Sequence, residues 1–331
     1  MSNDTVQVPL DGLTRVGDGL RRPEYVLTTA SGDLFVPSLG SGIVHLAADG
    51  TEKARYGDID TVEGQVWVPN GMVLKEDGSF LISNMGQGGG IWRLDREGGL
   101  QPFLRRVDGL DLPATNFILD DGQGRLWVTV TTRHWPISRA FCGYDGPYVE
   151  DGFIVLIDAR GARIVADGLA FANELRLDMQ RRHLYVVETQ GRRVTRFAIG
   201  QDGVLSERFV HTKFDLGTFP DGLAFDEEDH LWVAGLVSNQ LWRVAPDGSR
   251  QLMLADDSPE HTAYIEHGMA EGSVTREDMQ RSPGKVLSNI ASIAFGGPDL
   301  RTVYLGSLGG SSLHAFRTPV AGRPLAHFYK H

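Results

Sequence analysis

The chain has 331 residues, 41% of them hydrophobic and 23% charged, which supplies material for a large buried core and argues against disorder. A net charge of −11 excludes the Lys- and Arg-rich surface through which proteins displace counterions from nucleic acid. No window approaches the roughly 18 apolar residues of a membrane span, and the first residues carry no basic stretch ahead of an apolar run. The expectation is a cytoplasmic protein that meets a small-molecule substrate, no nucleic acid and no membrane; its oligomeric state is left open. Cys142 is the only cysteine, so an internal disulfide cannot form, and no Cys-His signature surrounds it.

Most of the sequence repeats one grammar: a polar opening residue, a β-rich run, an Asp-Gly type turn, and further short runs often carrying Trp or Tyr. The first copy opens at Glu24 and passes the Ser31-Gly32-Asp33 turn to Leu34-Phe35-Val36. The second opens at Asn70, turns at Glu76-Asp77-Gly78 and continues through Phe80-Leu81-Ile82-Ser83 to Gly90-Ile91-Trp92-Arg93-Leu94. The glycine-rich run 86–90 falls between those last two strands, where a hairpin needs tight turning and a phosphate cradle is not expected. The third copy opens at Asn116, ends in Arg125-Leu126-Trp127-Val128, and is followed by an insertion over 133–150 that holds His134, Trp135, Tyr144 and Tyr148. The fourth opens at Asn173 and ends in His183-Leu184-Tyr185-Val186-Val187. The fifth is the clearest, with Pro220-Asp221-Gly222-Leu223-Ala224-Phe225-Asp226 leading to Leu231-Trp232-Val233-Ala234 and Gln240-Leu241-Trp242-Arg243-Val244. A second insertion, 259–283, follows, in which 275–280 reads as a short capped helix. The sixth copy opens near Asn289 and passes Gly296-Gly297-Pro298-Asp299 to Thr302-Val303-Tyr304-Leu305.

Six such units, each too short and too rich in period-two apolar residues to be helical, specify an all-β, six-bladed β-propeller that runs as a single domain over 1–331. Trp67, Trp92, Trp127, Trp232 and Trp242 fit strand positions and are expected to pack between blades. In a propeller the first strand of each blade lines the central channel, so the openings at 24, 70, 116, 173, 221 and 289 converge on one end of it. Carboxylates and amides gathered there cost several kcal/mol each unless something satisfies them. One answer is a hard dication, for which Glu24 and Asp221 provide charge and Asn116 and Asn173 neutral oxygens. The other is that each residue caps its own strand end. Calcium is the expected ion, with Zn2+, Mg2+ and Mn2+ as alternatives. Asn70, Asn116 and Asn289 are expected to face substrate, and His134 to reach it from a loop arching over the funnel. His261 and His267, in the second insertion, are weaker candidates for the same role.

The motifs Phe219-Pro220-Asp221-Gly222-Leu223-Ala224-Phe225-Asp226, Phe171-Ala172-Asn173 and Phe295-Gly296-Gly297-Pro298-Asp299 resemble the gluconolactonase and senescence-marker-protein (regucalcin) family, along nearly the whole chain. That family includes luciferin-regenerating-enzyme-like and diisopropylfluorophosphatase-like propellers. The resemblance implies a metal-dependent hydrolase with Glu24, Asn173 and Asp221 as metal ligands, Asn116 as a fourth ligand or substrate contact, and Asp221 as the group that activates water. It implies a lactone or related small ester as substrate. Organophosphate-type hydrolysis, a non-hydrolytic reaction on the same metal, and a binding propeller with a structural metal remain as alternatives. Three positions depart from the family pattern. Ala114 stands where sugar-lactone members carry an arginine, Glu174 follows Asn173 in place of glycine, and Tyr25-Val26 follow Glu24 in place of Gly-Pro. Metal binding therefore transfers more readily than aldonolactone specificity. A serine hydrolase is disfavoured, since Gly40-Ser41-Gly42 lacks the spacing of a nucleophile elbow.

Overall fold

Alternation of apolar residues with period two, broken by Asp-Gly turns, folds the chain into six four-stranded antiparallel sheets. The computed structural model describes residues 8–141, 148–281 and 283–330, so Cys142 and Tyr144 of the first insertion lie outside the described residues. From the inside outward, blade one comprises Leu27–Thr28, Leu34–Pro37, Ile43–Leu46 and Glu52–Tyr56. The inner strands of blades two to six are Pro69–Leu74, Thr115–Asp120, Ala172–Leu177, Thr218–Phe225 and Ile290–Gly296. Successive inner strands pack side by side, and the first packs on the sixth, so the sheets form a ring.

The burial gradient along each blade follows from this geometry. Inner strands such as Pro69–Leu74 and Thr218–Phe225 are buried at every position, whereas the outer strand Glu52–Tyr56 presents alternate residues to water. Trp92, Trp127 and Trp232 are buried on their strands, Trp67 is buried just ahead of the inner strand of blade two, and Trp242 is half-buried. A fully buried side chain of this size contributes upward of about 2 kcal/mol from its removal from water alone. Beyond the sequence-based expectation, blade six is completed by the opposite end of the chain. Its fourth strand is Thr14–Val16, paired antiparallel to Leu313–Arg317 with Thr14 opposite Ala315 and Val16 opposite Leu313.

The second insertion folds as two helices. Helix α1, Pro259–Glu271, begins at the Ser258 side chain, which accepts from the His261 amide, has Pro at its first turn, and ends at Gly272 in the left-handed region (φ 69°). These start and stop residues were present in the sequence and mark a helix that the repeat grammar alone passes over. Helix α2, Arg276–Gln280, is capped as expected by Thr275, whose hydroxyl accepts from the Asp278 amide while the Asp278 carboxylate accepts from the Thr275 amide. No helix among the described residues is long and apolar enough to cross a membrane.

Candidate active site

Each inner strand from blade two to blade six carries a β-bulge at the same place. Register slips between Pro69 and Met72, Thr115 and Phe117, Ala172 and Leu175, Pro220 and Leu223, and Ile290 and Ser292. A bulge adds one residue to one strand and re-aims its side chain. The residues so displaced include Asn70, Asn116, Asn173 and Asp221, which are the openings picked out in the sequence. In blade six the equivalent residue is Ala291, not Asn289, so the sixth blade adds no polar group to the ring of bulges. Close backbone packing holds two of these positions. A Cβ on Gly222, next to Asp221, would stand 2.5 Å from the Ala291 carbonyl oxygen, and one on Gly306 would stand 2.2 Å from the Glu24 carbonyl oxygen. Only glycine lets blade five approach blade six there, and lets the Pro23-Glu24 segment lie against the second strand of blade six.

Glu24, Asn116, Asn173 and Asp221 line one small cavity of about 50 Å³ together with Arg22, Thr189, Gln190 and Arg276. All four predicted oxygen donors are buried. Arg22 forms an ion pair with Glu24 and donates to Asn70 Oδ1 at 3.4 Å. Asn70 Nδ2 donates to the Asn116 carbonyl and side-chain oxygens, each at 3.1 Å, so Asn70 supports Asn116 from behind. Asn173 Nδ2 donates to Thr189 Oγ1 at 3.1 Å, and Asn173 also donates to the Asp221 carboxylate.

The electrostatics are set by burial. Burial pushes the Asp221 carboxyl well above the usual carboxylate range, the charges of Glu24 and Glu174 push it further, and Arg22 and the Asn173 hydrogen bond oppose the rise. Beneath it Glu174, the residue in the family's glycine position, is raised to about 7, mainly by burial, even though Arg176 pairs with it at 3.0 Å. Two acceptor atoms in the cavity wall have capacity left over. Asn173 Oδ1 is buried without a hydrogen bond, and Glu24 Oε2 has the Arg22 guanidinium of its ion pair as partner.

These leftovers are a test of whether a metal suits the site. Among the described residues no three His, Cys, Asp or Glu side chains gather as a metal cluster; the donors here are two carboxylates and two amides. An all-oxygen set with incompletely satisfied acceptors and, at Asp221, a raised proton affinity fits a hard dication such as calcium, because the ion satisfies the acceptors and offsets the carboxylate charge.

The apolar side of the cavity is shared between the insertions and the blades. Phe141 and Met279 come from the insertions, Leu236 from the second strand of blade five and Leu308 from just past the second strand of blade six, and Met279 and Phe141 continue into an apolar layer with Ile137, Ile265, Met269 and Val274. The two insertions therefore form a cap over the funnel. A second cavity, about 310 Å³, opens at the other end of the channel between Tyr25, Leu119, Arg176, Phe225, Phe295 and Leu325, and none of the funnel's oxygen donors lines it.

Several expected contacts fall elsewhere. Asn289 has its amide spent on backbone: Oδ1 accepts from the Val237 amide at 2.7 Å and Nδ2 donates to the Met279 carbonyl at 2.6 Å. It pins the cap instead of lining the cavity, and it holds Val237, a β-branched residue at φ 69°, in the left-handed region. His134 lies on the surface of its loop, 3.7 Å from Asp151, and is absent from the cavity wall; His261 is turned to the Arg281 carbonyl and His267 is exposed. Conversely, Arg22 and Arg276 enter the site without having been singled out. Arg22 precedes the first repeat opening by two residues, and Arg276 sits in the helix that the capping signal did mark.

With this geometry in place, comparison with known proteins becomes informative. Over 179 residues the chain is 27% identical to pentonolactonase XacC of Haloferax volcanii, a match covering 53% of this chain and 51% of the relative. It is 26% identical over 238 residues to 6-deoxy-6-sulfogluconolactonase of Pseudomonas putida, covering 71% of this chain and 67% of the relative. Thus the match spans about half the length of the first relative and two thirds of the second. The fold superimposes on a calcium-binding protein, regucalcin, of Agrobacterium tumefaciens with TM-score 0.65 at 16% identity, covering 99% of this chain and 98% of that one. Residues 34–259 match the family model described as the SMP-30/gluconolactonase/LRE-like region, and the chain belongs to that family.

Proposed function

We propose that this protein is a lactonase, hydrolysing a lactone or a related small ester in the capped funnel. The observation that carries the reading is the buried cluster of Glu24, Asn116, Asn173 and Asp221, in which Asn173 Oδ1 has no hydrogen bond and the Asp221 carboxylate has a raised proton affinity. Lactonase names among its relatives support the same reaction class.

In this reading Asp221 is the general base. It takes a proton from a water as that water's oxygen forms a bond to the lactone carbonyl carbon, and it returns the proton to the ring oxygen as the ring C–O bond breaks. Asn173, donating to Asp221, fixes the carboxylate's orientation, and Asn70 does the same for the Asn116 amide. Glu24, Asn116, Asn173 and Asp221 would hold one divalent cation, calcium by their oxygen chemistry, which when bound polarises the carbonyl and stabilises developing negative charge. Arg22 balances Glu24 from behind. The cap excludes water from the reacting groups, which strengthens every charge interaction beneath it.

The cavity, about 50 Å³, is far below the roughly 300–1,000 Å³ of ordinary ligand sites, so the cap has to shift to admit substrate. The test is a panel of γ- and δ-lactones followed by pH-stat, using metal-stripped protein with and without Ca2+, Mg2+, Mn2+ or Zn2+. Turnover restored by a metal and lost in Asp221→Asn is the expected result. Absence of turnover with every metal, from protein shown by elemental analysis to hold the ion, would overturn the lactonase reading.

A further inference from the structure

The cap carries a charge that the floor does not account for. Arg276, the first residue of α2, lines the same cavity as Met279, Gln280, Glu24 and Asp221. Among the described residues no carboxylate forms an ion pair with it; Glu24 is engaged by Arg22. Burial and the neighbouring Arg22 charge draw its guanidinium down to about 10, and Glu24 only partly opposes this. Arg276 is half-buried, and a cation drawn partly out of water without a partner carries a cost that falls when an anion arrives. The carboxylates below cannot serve as that anion if they hold a cation of their own.

We propose that Arg276 is a specificity residue that binds an anionic substituent, a carboxylate, sulfonate or phosphate, carried by the lactone substrate. The inference rests on the lactonase reading and narrows its substrate class. A guanidinium presents a planar fork of donors matched to such groups and stays charged throughout the working pH range. Its position on the cap couples recognition to closure: an anion at the funnel mouth gives Arg276 its missing partner only when α2 is seated.

The experiment compares γ-butyrolactone-γ-carboxylate with its neutral carboxamide, for the wild-type protein, Arg276→Met and Arg276→Lys. A sulfonate-bearing and a phosphate-bearing lactone form two further arms that identify the anion. Wild type is expected to favour the charged member of the pair by at least about tenfold in kcat/KM, the worth of one good charged hydrogen bond. In Arg276→Met that ratio falls toward one, and Arg276→Lys recovers part of it. An unchanged ratio in Arg276→Met, or a wild-type ratio near one on every charged arm, overturns the proposal. Calorimetric binding of 2-hydroxyglutarate, the ring-opened product of the carboxylate, separates the two readings. Binding that requires Arg276 without hydrolysis of any lactone keeps the anion site and rejects the lactonase. Equal binding by wild type and Arg276→Met rejects the anion site whatever the hydrolysis result.

Discussion

Asp221 and Asp226 belong to one stretch of blade five, both are buried, and they are treated in opposite ways. Asp226, just past the inner strand, spends its carboxylate fully. Oδ2 accepts from Trp232 Nε1 at 2.9 Å and Arg243 Nε at 2.8 Å, while Oδ1 accepts from the Glu228 and His230 amides at 2.9 and 3.0 Å. Asp121 repeats this at the third blade, accepting from the Gln123 and Arg125 amides and the Arg125 guanidinium. At the funnel end Asp221 has Asn173 as a donor and two carboxylates for company. One set of acids closes turns and ties strands together. The other is held in an arrangement that favours neither its charge nor its stability, which is where functional groups are expected.

The sharpest way to break the comparison is to neutralise each acid in turn. Asp221→Asn is expected to lower kcat/KM on any lactone substrate by about 1,000-fold, the loss of a general base. In metal-stripped protein it should leave stability unchanged or raised. The sign follows from linkage: a carboxyl whose folded pKa lies above its unfolded value of 3.8 binds more protons when folded, so its penalty grows as pH rises through the folded pKa. The thermal advantage of Asp221→Asn over metal-stripped wild type should therefore be largest at alkaline pH and shrink as pH falls toward 4. A stability loss at pH 8 in calorimetry would place Asp221 with the structural acids.

Asp226→Ala, by contrast, is expected to cost about 3 kcal/mol in denaturant unfolding, because it strands the buried Trp232 indole and takes a partner from the Arg243 guanidinium. Asn289→Ala should cost about 2 kcal/mol, through loss of its two hydrogen bonds to the backbone of Val237 and Met279, and loosen the cap enough to change KM more than kcat. His134→Ala sharpens the boundary of the site, with kcat/KM expected within about twofold of wild type, as for a surface substitution.

Much of this was legible in the sequence because a propeller converts a repeat into a point. Once Asn70, Asn116, Asn173 and Asp221 occupy equivalent places in successive units, ring closure brings them together without further information. The bulges that turn their side chains into the channel left only a faint trace, the glycine after Asn70 and Asp221. What the repeat could not convey lies outside the repeat. The second insertion obscures where blade six begins, so Asn289 reads as an opening by its residue type while the sixth bulge falls at Ala291. Arg276 reaches the funnel through the packing of α1 and α2 on the blades, a long-range arrangement with no period to betray it. The cap's apolar layer, Phe141 with Ile265, Met269 and Met279, is likewise drawn from two insertions that share no motif.

The seam in blade six has a temporal meaning. Thr14–Val16 is made first and finds its partner, Leu313–Arg317, some 300 residues later. At about 5–20 residues per second of synthesis, that interval is on the order of tens of seconds, and the ring cannot shut before it has passed. Until then blade one has no blade six to lean on, and the Pro23-Glu24 segment lacks the strand that seats it against Gly306. The funnel is thus assembled last, by the same event that finishes the circle, so a nascent chain stalled before blade six could own five blades and still lack the assembled funnel.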